Sequence, residues 1–174
     1  SNKAELKFPV YEFVAPVEYM IRPPQPPAFV FVIDVSHLAV TSGMTATAAK
    51  IIMDCLDRLP NETGLSRMAL IAVDSAVHFF NLGLNTPEPQ SLVVPDLKDI
   101  VIPYRVSDLL VSINECRSNL ESILQKLPNL FANTQKATVA FGSALNAACN
   151  LIAPIGGKVI GLLSSLPTIG EGAV

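Results

Sequence analysis

Six apolar residues run in unbroken succession from Ala28 to Ile33 (A-F-V-F-V-I). A strand without polar alternation is apolar on both faces. That predicts an interior strand, of the kind parallel sheets bury between two layers of helix. Two later runs share the character, Arg67 to Val73 (R-M-A-L-I-A-V) and Lys158 to Leu163 (K-V-I-G-L-L). Val77-His78-Phe79-Phe80 follows the second run after a short turn and reads as its hairpin partner, which would leave His78 on an edge strand. Between these runs the apolar spacing changes to that of helices. One stripe falls at 44, 48, 51, 52, 55, 56 and 59, ahead of Pro60. A longer one falls at 110, 113, 116, 120, 123, 124 and 127, with Pro128 as its stop, and a third at 141, 145, 148 and 152 ends before Pro154. Residues 83–105 carry Pro87, Pro89, Pro95 and Pro103 and little periodicity, so they read as a surface excursion with one short strand at 91–94. The order strand, helix, strand pair, helix, helix, strand predicts a three-layer α/β fold.

Upstream of the first run, bulky β-formers at 10–21, broken by Pro16, predict an edge strand. Arg22 to Pro27 (R-P-P-Q-P-P) has no capacity for helix or ladder and reads as a stiff polyproline connector. Its P-x-x-P spacing also fits a ligand for an SH3-like domain. Residues 1–27 are therefore set apart as edge strand and connector, and 28–174 as the α/β unit.

Composition narrows the function classes. Half of the 174 residues are hydrophobic and only 16% are charged, against roughly 25% in an average soluble domain. With a mean hydropathy of +0.44, this is no disordered tail or solvated coiled coil. A net charge of −3 without a basic block argues against nucleic acid as a partner. No apolar stretch reaches the ~18 to 20 residues of a membrane helix, and the polar opening residues do not read as a secretory signal. Cys55, Cys116 and Cys149 are widely spaced and fit neither a disulfide framework nor a zinc site. All three fall where helix is predicted and read as reduced packing residues. Asn61-Glu62-Thr63 is a glycosylation sequon that matters only in a secreted chain.

Ligands of parallel α/β sheets bind beyond the C-terminal ends of the strands. There the first run delivers Asp34, Ser36 and His37. A serine–histidine nucleophile fails, because adjacent side chains diverge and no orienting acid is evident. Gly156-Gly157-Lys158 precedes a strand, whereas a phosphate loop follows one. A better match is the D-x-S-x-S metal site of von Willebrand factor type A domains, where carboxylate and hydroxyl oxygens of three loops hold a hard divalent cation. Asp34 and Ser36 fit it, Leu38 stands where a third oxygen is needed, and the later threonine is Thr134 or Thr138. The acid expected after the third buried strand is replaced by Ser164-Ser165. The vestigial set is thus Asp34, Ser36, Thr138 and Ser165, with Ser164 the alternative in the last loop. The simpler role for Asp34 and Ser36 is to cap the turn that follows.

Longer segments carry a more specific resemblance. E-Y-M-I-R-P-P-Q-P-P at 18–27 precedes the strand ending D-V-S. Then come A-V-H-F-F-N at 76–81, L-P-N-L-F-A-N-T at 127–134, F-G-S-A-L-N-A-A at 141–148, G-G-K-V from 156 and L-P-T-I-G to 170. Together they resemble the trunk domain of the cargo-adaptor subunit of COPII vesicle coats, the twenty-fourth Sec protein family. The resemblance implies a von Willebrand factor A-like trunk with a mainly parallel sheet, incomplete at its C-terminal end, within a longer protein. It implies no enzyme and no cofactor in this segment, the family's zinc-ligating cysteines lying upstream. The partners it implies are the GTPase-activating coat subunit in a heterodimer, the small coat GTPase, and cargo and SNARE sorting signals. It places the protein on the cytosolic face of the endoplasmic reticulum, peripheral on the membrane, in endoplasmic reticulum to Golgi transport. It assigns no cargo-binding residue. The competing reading is a metal-dependent adhesion domain of the same fold.

Overall fold

The structure is a computed structural model that describes residues 7, 9–10, 12–13, 16–21 and 25–174. β1 (Ala28–Asp34) is the apolar run, and all seven of its residues are buried. It pairs in parallel with β2 (Arg67–Val73) on one side and with β6 (Lys158–Leu162) on the other. β3 (Val77–Asn81) turns back antiparallel against β2, and β4 (Gln90–Val94) pairs antiparallel with β3. The two-residue β5 (Val111–Ser112) also joins β2, antiparallel. The sheet is open and mixed, in the order β4-β3-β2-β1-β6.

Alternation along β1 divides the core. Phe29, Phe31 and Ile33 face one layer with Met68, Leu70 and Phe80, covered by α2 (Met44–Cys55) and α4 (Arg117–Leu130). Val30 and Val32 face the other layer with Ile71, Val73 and Phe79. There α5 (Phe141–Ile152) lies on the sheet through the small side chains of Ala144, Ala147 and Ala148, with Leu151 and Ile152 buried at its C-terminal end. A short α1 (His37–Thr41), which the periodicity did not mark, follows β1.

β1 and β2 are buried where the apolar runs predict them, but the third run forms β6 at an edge of the sheet with none of its residues buried; elsewhere too the structure corrects the reading. Among the described residues of 10–21 there is no edge strand. Pro16 instead accepts a hydrogen bond from Tyr19 N–H at 2.9 Å and closes a 3-10 turn over Val17–Tyr19. Tyr11, Val14 and Ala15 of that stretch, and Arg22, Pro23 and Pro24 of the connector, lie outside the described residues. The stripe predicted from 110 merges two elements. Leu110 and Ile113 are buried, but they flank β5, whose backbone pairs with β2, and the helix starts only at Arg117. A short α3 (Val106–Leu109) precedes them. Pro128 sits inside α4 rather than before its end. A proline so near a C-terminus removes one rung of the ladder, and buried Leu124 and Leu127 hold that turn by packing.

Three smaller corrections concern exposure. Ile51 belongs to the α2 stripe by spacing, yet it is 55% exposed. Cys149 is exposed, and Cys116 is buried at the N-cap of α4 rather than within a helix. The end of the proline-rich excursion is not free surface, because Leu97, Ile100, Ile102 and Tyr104 pack onto the α5 layer.

Among the described residues β6 pairs only with β1, and its Ile160 and Leu162 are half-buried. An unpaired edge flanked by apolar side chains recruits another strand. The 174-residue chain expressed alone should therefore self-associate as concentration rises, and Ile160→Lys should suppress it. Light scattering across a dilution series checks this, and a monomer at every concentration would refute it.

Candidate functional site

The C-terminal ends of β1, β2 and β6 bring together the loops that begin at Val35, Asp74 and Leu163. Asp34, the last residue of β1, has no exposed surface. A buried carboxylate is tolerable only when its oxygens are paired, and both are. Oδ1 accepts the Ser36 N–H at 2.8 Å. Oδ2 accepts the Ser164 N–H at 3.0 Å and the Ser164 hydroxyl at 2.5 Å. The Asp34 carbonyl accepts the Thr45 hydroxyl at 3.0 Å, which ties α2 to the same point. Ser36 is the N-cap of α1, its Oγ accepting the Ala39 N–H at 3.5 Å.

The structure gathers only part of the vestigial metal set. In the last loop it is Ser164, not Ser165, that reaches Asp34, and neither Ser165 nor Thr138 is bonded to Asp34. Thr134 faces elsewhere. Its carbonyl accepts a hydrogen bond from Nδ1–H of His37 at 3.0 Å, and its Oγ1 accepts the Lys136 N–H at 3.3 Å. Leu38 is 50% exposed and offers carbon only. One carboxylate whose lone pairs already meet three protein donors does not fit a magnesium ion, which needs near-octahedral oxygen coordination. Among the described residues no group of three or more His, Cys, Asp or Glu could hold a metal ion.

A second buried pair stands beside it. Asp74 begins the loop after β2, and His78 is an interior residue of β3, flanked by β2 and β4 rather than on an edge. His78 Nε2 donates to Asp74 Oδ1 at 3.0 Å, and the Ala76 N–H donates to the same oxygen at 2.9 Å. The imidazole lies edge-on to Phe131, with ring centroids 5.0 Å apart. Burial pushes the Asp74 carboxyl up. The His78 hydrogen bond, the Ala76 N–H and the charges of His78 and Lys136 outweigh it and hold the group below its ordinary 3.8. This orienting acid was missed by the sequence reading, although D-S-A-V-H at 74–78 spells it out once the hairpin is known. No hydroxyl or thiol is bonded to His78 among the described residues, so the pair orients no nucleophile.

Both histidines thus meet the connection between α4 and α5. His37 holds Thr134 through its ring and Lys136 through its backbone N–H, His78 meets Phe131, and the Asp74 carbonyl accepts the Ala140 N–H at 2.8 Å. The result is a closed surface of interlocked loops. Concavities of about 480 Å³ beside Arg117 and about 330 Å³ beside Arg67 lie away from it.

An open α/β sheet with a metal-site topology and a carboxylate satisfied by its own loops defines a von Willebrand A-like module. The family model described as the Sec23/Sec24 trunk domain matches residues 24–174, and the chain belongs to this family. It is 50% identical to the protein transport protein sec24 of Aspergillus terreus over 177 residues, covering 100% of this chain and 20% of that protein. It is 49% identical to the Neurospora crassa protein of the same name over 174 residues, covering 98% of this chain and 18% of the relative. The crystal structure of the human COPII-coat protein Sec24c superposes with a TM-score of 0.83 at 33% identity, over 92% of this chain and 22% of that one. The chain spans about a fifth of the length of the curated relatives it matches. The three-layer α/β fold and the coat-trunk resemblance read from the sequence agree with these findings.

Two outcomes are expected here. Asp34→Ala strands the Ser36 and Ser164 N–H groups and should cost about 1–3 kcal/mol for each orphaned donor. Ser164→Ala should lose part of that and Ser165→Ala almost nothing, as urea melts of the three variants would show; equal losses at 164 and 165 would contradict the assignment. For Asp74, a carboxyl held below its unfolded value adds stability that is complete above that value and disappears as pH falls through the folded one. Asp74→Asn should therefore destabilise at neutral pH, and the gap to wild type should narrow below about pH 4. Thermal melts from pH 7 to pH 3 measure it.

Proposed function

We propose that this chain is trunk from the cargo adaptor of the COPII coat and that it acts by contact, without catalysis of its own. The reading rests on identity near 50% along the whole chain with proteins named for protein transport as sec24. In that role it would pair with the GTPase-activating coat subunit in a heterodimer and meet the small coat GTPase in the assembled coat. The full protein would gather cargo and SNARE sorting signals on the cytosolic face of the endoplasmic reticulum, as a peripheral component bound for Golgi-directed vesicles. No helix among the described residues is long and apolar enough to cross a membrane. Zinc, as the resemblance implies, would be held outside this segment. The buried Asp34, the unaccompanied Asp74–His78 pair and the closed loop surface all favour contact over chemistry. A metal-dependent adhesion role would ask of Leu38 and Ser164 what they do not supply.

The outer edge of β4 is the contact surface the geometry favours. Its residues carry no charge, and Leu92 and Val93 are exposed on opposite faces. An edge strand without Lys or Pro inside it is open to pairing. Full-length protein should co-elute with the GTPase-activating subunit on gel filtration, and Leu92→Lys with Val93→Lys should weaken that complex at least about tenfold, roughly 1.4 kcal/mol. A folded double variant with unchanged affinity removes this edge, and absence of any complex with the wild type removes the adaptor reading.

A further inference from the structure

We propose that Thr86 is a phosphoryl-acceptor site for a proline-directed protein kinase, and that the modification releases the turn between β3 and β4. The segment reads N-T-P-E-P at 85–89. Leu84, Asn85, Pro87 and Glu88 are exposed, and no residue from Leu84 to Pro89 is buried. Pro87 offers no N–H after the acceptor, so an enzyme that binds that donor cannot take the site. The kinase class is fixed by that missing proton.

What closes the turn is polar and local. The Thr86 N–H donates to the Gly83 carbonyl at 3.1 Å. The Thr86 hydroxyl donates to Asn81 Oδ1 at 3.1 Å, which also accepts the Gly83 N–H at 3.0 Å. From α4, the Asn119 amide reaches the carbonyls of Leu82, Gly83 and Thr86 at 3.2, 3.3 and 3.3 Å. Two hydrogens serve three acceptors there, so the bonds are shared and individually weak. A segment held this way, without apolar burial, opens far below the cost of global unfolding. Opening presents Thr86-Pro87 in the extended form a kinase cleft requires.

In the transfer, the Thr86 oxygen attacks the γ-phosphorus of ATP. The new O–P bond forms as the bond to the bridging oxygen of ADP breaks, and the hydroxyl proton passes to the kinase's catalytic carboxylate. The turn's closing donor is then gone, and a group of charge near −2 faces the Asn81 acceptor oxygen. Glu88 and Asp108 add negative charge nearby, with Asp108 Oδ1 lying beside Gly83. Of the nearby cations, Lys126 already pairs with Glu88 at 3.4 Å, and Arg67 lines the concavity that Gly83, Leu84 and Asn85 share with the carboxylate of Asp108. The phosphate therefore opens the turn instead of ordering it. The Asn81–Gln90 pair, which begins the β3–β4 ladder, frays first. Any effect on partner binding rests on the reading of β4 given above; the modification and the opening do not.

The test treats full-length protein with ATP and a purified cyclin-dependent kinase, maps phosphate by mass spectrometry, and follows hydrogen exchange. Phosphate should appear on Thr86, persist in Thr86→Ser and vanish in Thr86→Val. Amides of 82–94 in the phosphoprotein should exchange about tenfold faster or more, with α5 unchanged. Thr86→Val, which removes the hydroxyl without adding charge, should raise exchange by less. An unmodified Thr86 under conditions that phosphorylate a control Thr-Pro peptide would overturn the proposal, as would unaltered exchange after complete modification. Affinity for the coat partner is read separately and bears only on the coat assignment.

Discussion

A carboxylate with no exposed surface stands at the end of a strand that is itself buried on both faces. Left unpaired, it would cost more than a small domain can spare. Asp34 is instead satisfied by the loop immediately after β1 and by the loop after β6, from which it is separated by 130 positions. The charge therefore clips β1 and its outer neighbour β6 together at their C-terminal ends. Thr45 fixes the approach of α2 to the same residue. Everything built on those loops inherits its position from that anion: the α1 turn, the His37 contact with the α4–α5 connection and the start of the C-terminal segment.

That a site of metal-binding topology is filled by hydroxyl and amide donors changes what the end of the sheet can do. A cation would have left a coordination position open toward solvent, whereas Ser164 closes the carboxylate inward. The Asp74–His78 pair points the same way, since its imidazole is spent on Phe131 and Asp74. The polar residues that look catalytic in a one-dimensional reading thus serve as fasteners between loops.

β1 and β2 were legible because double-sided burial leaves a signature needing no partner to interpret it, apolar runs at 28–33 and 68–73; the similar run at 159–163 formed a strand too, but on the edge and only half-buried. Helix α5 was located by its spacing, although Leu145 of that stripe is 38% exposed and the buried face runs through Ala144, Ala147 and Leu151 instead. The stripe that began at 110 misled because Leu110, Ile113 and Leu120 are all core residues, and burial does not record which backbone carries the side chain. His78 was misplaced because its outer neighbour, β4, lies in a proline-flanked stretch of weak periodicity. The choice between Ser164 and Ser165 depends on where β6 ends, and that is decided by its pairing with β1. The clustering of both histidines on one connection lies beyond any local pattern, because tertiary contact creates it.

The unequal layers on either side of β1 have a consequence for how the chain finds its fold. Phe29, Phe31 and Ile33 fill one layer, while Val30 and Val32 share the other with a helix that buries Ala144, Ala147 and Ala148 along its middle and Leu151 and Ile152 at its end. A slip of one residue reverses every side chain of a strand. Here it would drive two phenyl rings into a gap sized for methyl groups and leave valines to span the wider one. Neither layer could then close. The alanine face of α5 thereby acts as a gauge that only the correct threading passes, so fidelity of assembly is enforced by volume as well as by hydrophobicity.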